Sequence, residues 1–158
     1  MHRVLSLGED WKPLYPRWTA LDGRSLLVHF HVPAPPLAWG RPFSGHTAVA
    51  PADRGFTVVD DGGVVPIEAV ELAGARSVRL TLARPPGPEA LLRYADRSRH
   101  GGRGALHDSD ASIAEDRYAY DPGTGHYPSA NVPELVGQPY PLMNWCVAFT
   151  QPIGPAPS

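Results

Sequence analysis

Residues 25–32 read SLLVHFHV, and residues 77–83 read SVRLTLA. In the first run Leu26, Val28, Phe30 and Val32 fall on one face, with Leu27, His29 and His31 on the other. In the second, Val78, Leu80 and Leu82 alternate with Arg79 and Thr81. A period of two is the signature of a strand with one face buried and the other solvated. Further strand candidates are RVLSL at 3–7, FTVVD at 56–60, IEAVEL at 67–72, ALLRYA at 90–95 and NWCVAF at 144–149.

The breaks between these runs are short. Asp61, Gly62 and Gly63 supply the positive-φ residues of a tight hairpin, so the strands on either side are expected to be antiparallel neighbours. AGAR at 73–76 joins IEAVEL to SVRLTLA in the same way, and PPGP at 85–88 leads into ALLRYA, which predicts a meander of four strands. Helical evidence is confined to SDASIAED at 109–116, where a Ser or Asp precedes a short polar turn. Many short strands punctuated by Gly and Pro predict an all-β fold, an antiparallel β-sandwich. The 158 residues suit one core, so residues 1–158 are expected to form a single domain.

Residues 96–139 do not fit the alternation and are expected to form a long ordered loop insertion, anchored by Tyr118, Tyr120 and Tyr127. The tail at 151–158 is expected to fray.

Composition restricts the function classes. Net charge is −2 and Lys12 is the sole lysine, which argues against nucleic acid as a partner. No apolar run approaches the roughly 18 residues of a membrane span, and MHRVLSLGEDWK lacks the apolar core of a signal peptide, so a soluble protein is expected. Cys146 is the one cysteine, excluding an intramolecular disulfide; within WCVAF it reads as a small buried apolar residue. No cofactor is indicated.

The chemistry-bearing stretch is RYADRSRHGGRGALHDSD at 93–110, with four arginines, three aspartates and two histidines. Ser98, His100 and Asp108 are the residue types of a hydrolytic triad, but there is no G-x-S-x-G elbow or Gly-Asp-Ser block, and triads draw their members from separate elements. Asp108 and Asp110, with Ser112, Glu115 and Asp116 following, are weak candidates for a calcium loop that lacks the turn glycine of an EF-hand. His29 and His31 share a strand face without a third metal ligand. SRHGGRG at 98–104 offers guanidinium groups and glycine amides for an anion or sugar, with Arg103 as the contact. Internal pairing of those arginines with Asp96, Asp108 and Asp110 is the simpler alternative. Trp11, Tyr15, Trp18, Trp39, Tyr118, Tyr120 and Tyr127 are the aromatics available to stack on a sugar ring.

LLRYA at 91–95, GRGALHDSD at 102–110 and YPLMNWCVAF at 140–149 together resemble the β-sandwich region that follows the catalytic domain of SGNH-type carbohydrate esterases, similar to sialate O-acetylesterases of bacteria and phage. HVPAPPLAW at 31–39 and GFTVVDDGG at 55–63 resemble earlier parts of that region. The resemblance implies a non-catalytic domain beside an SGNH partner domain, because the family's serine, aspartate and histidine blocks are absent here. It also implies a loop network of Arg93, Arg103, Asp108, Asp110, Asn144 and Trp145, in which the aspartates pair with Arg93 or Arg103 and Asn144 satisfies loop backbone. Ala105 and His107 stand where the family pattern has an amide and an arginine. The alternatives are a structural or assembly module of a phage-derived particle, and an esterase with an unfamiliar site.

Overall fold

The computed structural model describes residues 11–40, 52–115, 117, 136–137 and 141–154. Two four-stranded antiparallel sheets form a sandwich. The strands are β1 (Tyr15–Asp22), β2 (Ser25–His31), β3 (Ala38–Trp39), β4 (Phe56–Asp60), β5 (Gly63–Val65), β6 (Ile67–Leu72), β7 (Ser77–Leu82) and β8 (Leu91–Tyr94). A single helical turn, α1 (Arg97–His100), precedes β9 (Leu106–His107) and β10 (Phe149–Pro152). One sheet has the order β1-β2-β7-β6 and the other β10-β8-β4-β5; β3 and β9 pair separately. Among the described residues no helix is long and apolar enough to cross a membrane.

The alternation read in the sequence sets the inner faces. Leu26 pairs with Leu80 and Val28 with Val78 across β2 and β7, and all four are fully buried. From the opposite sheet Phe56, Val58, Leu92 and Tyr94 meet them, each at most 1% exposed. Burying one such side chain contributes roughly 1.5–3 kcal/mol. Phe149 of β10 completes this layer, stacked 5.6 Å from Tyr94 and edge-on to Phe30 at 6.2 Å.

The expected meander is broken. β4 and β5 do form a hairpin around Asp61 and Gly62, with Gly63 at φ +101, and β6 and β7 form another at Gly74, φ +93. Between the two hairpins, however, the chain crosses from one sheet to the other at Pro66. It crosses back after Ala83, so β8 pairs with β4 and not with β7. Local turn chemistry specifies hairpins; which sheet each hairpin joins is decided by the facing apolar sides.

β1 carries no period-two signal because its apolar pattern is interrupted. A bulge between Pro16 and Trp18 shifts the register, and the inward position is taken by Thr19, whose hydroxyl accepts a hydrogen bond from the Gly154 amide at 3.2 Å. At the other end of the chain, the strand expected over 144–149 is shorter: Trp145 and Cys146 make isolated bridges and the ladder starts at Phe149. The RVLSL candidate and Tyr118, Tyr120 and Tyr127 lie outside the described residues.

Asp60 ties the β4–β5 turn to the crossover that follows Ala83. Its carboxylate receives Arg84 at 2.6 and 2.9 Å and the amides of Gly62 and Gly87 at 3.0 Å each. These bonds, the Arg84 guanidinium foremost, hold the Asp60 carboxyl well below the usual carboxylate range. A depressed folded-state pKa means that the unfolded chain takes up more protons below pH of about 4. The stabilisation is therefore complete above that pH and is lost progressively as the pH falls from there through the lower folded-state pKa. Urea midpoints measured down a pH series are expected to drop over this window, and the drop to shrink in Asp60→Asn; an unchanged pH slope in the variant would contradict it.

Candidate functional site

The polar stretch 93–110 leaves β8 through a left-handed residue, Ala95 (φ 51). It crosses the loop 52–55, where Arg54 (φ 56) and Gly55 (φ 94) turn in the same sense. The crossing is close. A Cβ on Gly55 would stand 2.9 Å from the Arg103 carbonyl oxygen and from Gly104 Cα. A Cβ on Gly104 would overlap the hydroxyl and ring of Tyr94. The glycines of GGRG thus serve geometry: Gly101 (φ 61) terminates α1, and Gly104 lies against Tyr94.

The helical turn falls at 97–100, and the described part of the 109–116 stretch, residues 109–115, is not helical. Asp96 caps it, Oδ1 accepting from the Ser98 amide at 2.9 Å and the Ser98 hydroxyl at 2.8 Å. These bonds, with help from Arg93 at 3.3 Å, lower the Asp96 carboxyl below its usual range. Residues 109–115 instead follow side-chain-to-backbone turns: the Asp110 amide donates to Asp108 Oδ1 and the Ser112 amide to Asp110 Oδ1. Aspartates in such positions satisfy local amides in place of a helix ladder.

Ser98, His100 and Asp108 do not converge. Ser98 donates to Asp96; His100, buried, meets Asp53 Oδ1 through Nε2 at 2.9 Å. Asp108 lies elsewhere, fully buried. Its Oδ1 accepts from the Asn144 amide (2.8 Å) and the Asp110 amide (3.2 Å). Its Oδ2 accepts from Asn144 Nδ2 (2.7 Å) and the Ala34 amide (3.1 Å). Both oxygens face N–H donors, an arrangement unlike that of an oxygen-ligand calcium loop. No group of three or more His, Cys, Asp or Glu is placed to hold a metal ion among the described residues.

The expected pairing of Asp108 with Arg93 or Arg103 is therefore replaced by pairing with amides. Arg93 bridges to Asp96, and Arg103 is exposed with its guanidinium unpaired among the described residues. Asn144 does meet the loop, through its side chain, its amide and its carbonyl, which accepts from the Asp108 amide at 3.1 Å. Trp145 tilts against His107 with centroids 5.1 Å apart. Three of the stretches that carry the family resemblance, 31–39, 102–110 and 140–149, meet at Asp108: the Ser109 amide donates to the Ala34 carbonyl, and the Ser109 hydroxyl to the Pro36 carbonyl.

The two partners that sequence reasoning missed are Asp53 and the Ala34 amide. Asp53 sits two residues before a glycine, and its Oδ1 accepts the Gly55 amide at 3.1 Å. That local turn is legible in the sequence; its reach to His100, 47 residues on, is not. His29 and His31 are also engaged within the fold. His29 stacks on Trp18 at 4.8 Å and shares a hydrogen bond with Ser77, and its pKa is lowered by burial and then by Arg17 and Arg76. His31 lies against the Tyr15 ring at 5.4 Å. Cys146 packs against the core, and burial pushes its thiol far up.

Two cavities border the second sheet. An open groove of about 510 Å³ is lined by Arg93, Asp96, Arg97, Gly102, Phe149 and Thr150, among others. A smaller cavity of about 170 Å³ is lined on one side by Asp53, Thr57 and Arg99 and on the other by Val64, Pro66 and Ile67.

No family model and no curated protein matches the chain. Among solved structures, a carbohydrate acetylesterase from Xanthomonas citri is similar over 95% of this chain and 25% of its own, at 14% sequence identity and a TM-score of 0.49. The chain spans about a quarter of the length of that protein.

Proposed function

We propose that this chain is a non-catalytic β-sandwich accessory domain of an SGNH-type carbohydrate esterase, supporting a catalytic domain or contacting glycan. The observation that carries the reading is the separation of the three hydrolase-type residues. Ser98, His100 and Asp108 each bond to a different internal partner, so no hydroxyl of this set faces a base. Nucleophilic catalysis needs that pair within hydrogen-bond reach. The family resemblance supports the same reading, because the stretches that carry it meet in a joint between loops and not around an open nucleophile.

Glycan contact in this proposal falls to the exposed Arg103, unpaired among the described residues, and to Tyr118, Tyr120 and Tyr127. Assay of the purified chain against aryl acetates and acetylated sugars is expected to give background hydrolysis only. Turnover that disappears in Ser98→Ala or His100→Ala would overturn the proposal and make the chain an esterase in its own right.

A further inference from the structure

We infer that the 170 Å³ cavity beside α1 is a binding site for one acidic sugar residue, held by Thr57, Asp53 and Arg99. The inference deepens the glycan-contact half of the reading above and rests on it.

Thr57 carries the argument. Phe56 and Val58 point into the core, so Thr57, between them on β4, points to the outer side of its sheet. It is nevertheless only 3% exposed, and its hydroxyl has no hydrogen-bond partner among the described residues. Buried hydroxyls are ordinarily paired, and this one, without a partner among the described residues, belongs to a residue that lines the cavity. Its neighbours are of matching chemistry. Asp53 Oδ1 is fixed by the Gly55 amide and His100, while Oδ2 bears no hydrogen bond among the described residues. Arg99 has no ionic partner among them either, unlike Arg84 and Arg93.

These groups define a ligand. A guanidinium takes a carboxylate, a free carboxylate oxygen takes a sugar hydroxyl, and Thr57 can donate to or accept from a second hydroxyl. Val64, Pro66 and Ile67 offer an apolar wall for the C–H edge of a ring. The volume lies below the roughly 300–1,000 Å³ of a drug-sized pocket, which suits a single ring. A hexuronate combines these features; a neutral hexose lacks the carboxylate.

The test is titration of the full chain with glucuronate, glucose and acetate, followed by amide NMR shifts. Saturable shifts at Thr57, Asp53 and Val64 are expected, with glucuronate bound at least about tenfold more tightly than glucose. Arg99→Ala, at an exposed position, is expected to weaken glucuronate about tenfold. Thr57→Val keeps the shape and is expected to abolish binding without lowering the urea midpoint. Should Thr57→Val unfold, Arg99→Ala alone decides. The inference is overturned if glucuronate gives no saturable shift, which would make the cavity a hydrated void. It is equally overturned if acetate reproduces the shifts, or if Arg99→Ala binds glucuronate as tightly as the unaltered chain does. Ester hydrolysis, measured on the same preparation, reports separately on the accessory-domain proposal.

Discussion

Asp108→Ala is expected to lower the unfolding free energy by about 4 kcal/mol, among the largest losses available to a single substitution in this chain. Four N–H groups converge on this carboxylate, from Ala34, Asp110 and Asn144, at 2.7–3.2 Å, and the residue is fully buried. Each donor left unpaired in the interior costs about 1–3 kcal/mol. Partial entry of water keeps the sum below the full total. Asp108→Asn retains one acceptor oxygen but turns an NH2 group toward donors, so about half of the loss is expected. Urea denaturation with an unchanged m-value checks both. A loss under about 1 kcal/mol for the alanine variant would mean that the joint is solvated and contributes little.

Gly104→Ala is expected to lose about 3 kcal/mol for a different reason, overpacking. The added methyl would overlap the Tyr94 hydroxyl and ring, and Tyr94 cannot withdraw. Its hydroxyl accepts the Leu106 amide at 2.8 Å, while its ring is held between Phe56, at 4.8 Å, and Phe149. Burial also pushes the phenol well above its ordinary pKa, so it stays protonated through the neutral range. The backbone at 104 must therefore move, carrying Ala105 and Leu106 of the buried seam with it. Gly102→Ala is the control, since the methyl it adds meets no atom within 4 Å and only its φ of +78 opposes the change. Thermal denaturation in which Gly104→Ala loses no more than Gly102→Ala would show that the contact with Tyr94 yields at little cost.

The inner strands are legible in the sequence because alternation is a local property. Leu26, Val28, Phe30, Val78, Leu80 and Leu82 stand out as one buried set from their spacing alone, and all six are buried in the fold. Two hairpins are legible through Gly63 and Gly74. The crossings at Pro66 and after Ala83 are not, since the pairing of β8 with β4 joins segments that lie far apart along the chain and leaves no local mark. β1 is hidden by its bulge and by an inward threonine. The loop chemistry divides similarly. That Asn144 satisfies the loop follows from the resemblance, whereas the choice of amides over arginines as partners of Asp108 depends on where the turn at 33–36 packs. Opposite charges close together along a chain suggest ion pairs; buried backbone donors, present at nearly every residue, leave no trace in composition.

The joint at Asp108 also bears on how far the sequence can drift. Three of its four donors are main-chain amides, which any residue except proline supplies. Position 34 is thereby released from side-chain constraint in this joint, while 108 must present two acceptor oxygens and 144 a side-chain amide. The information that specifies this joint is concentrated in an Asp and an Asn 36 positions apart, together with a glycine at 104 beneath Tyr94. A chain could exchange most of its surface and much of its loop and still close the same way. Low overall identity and an unchanged joint are compatible.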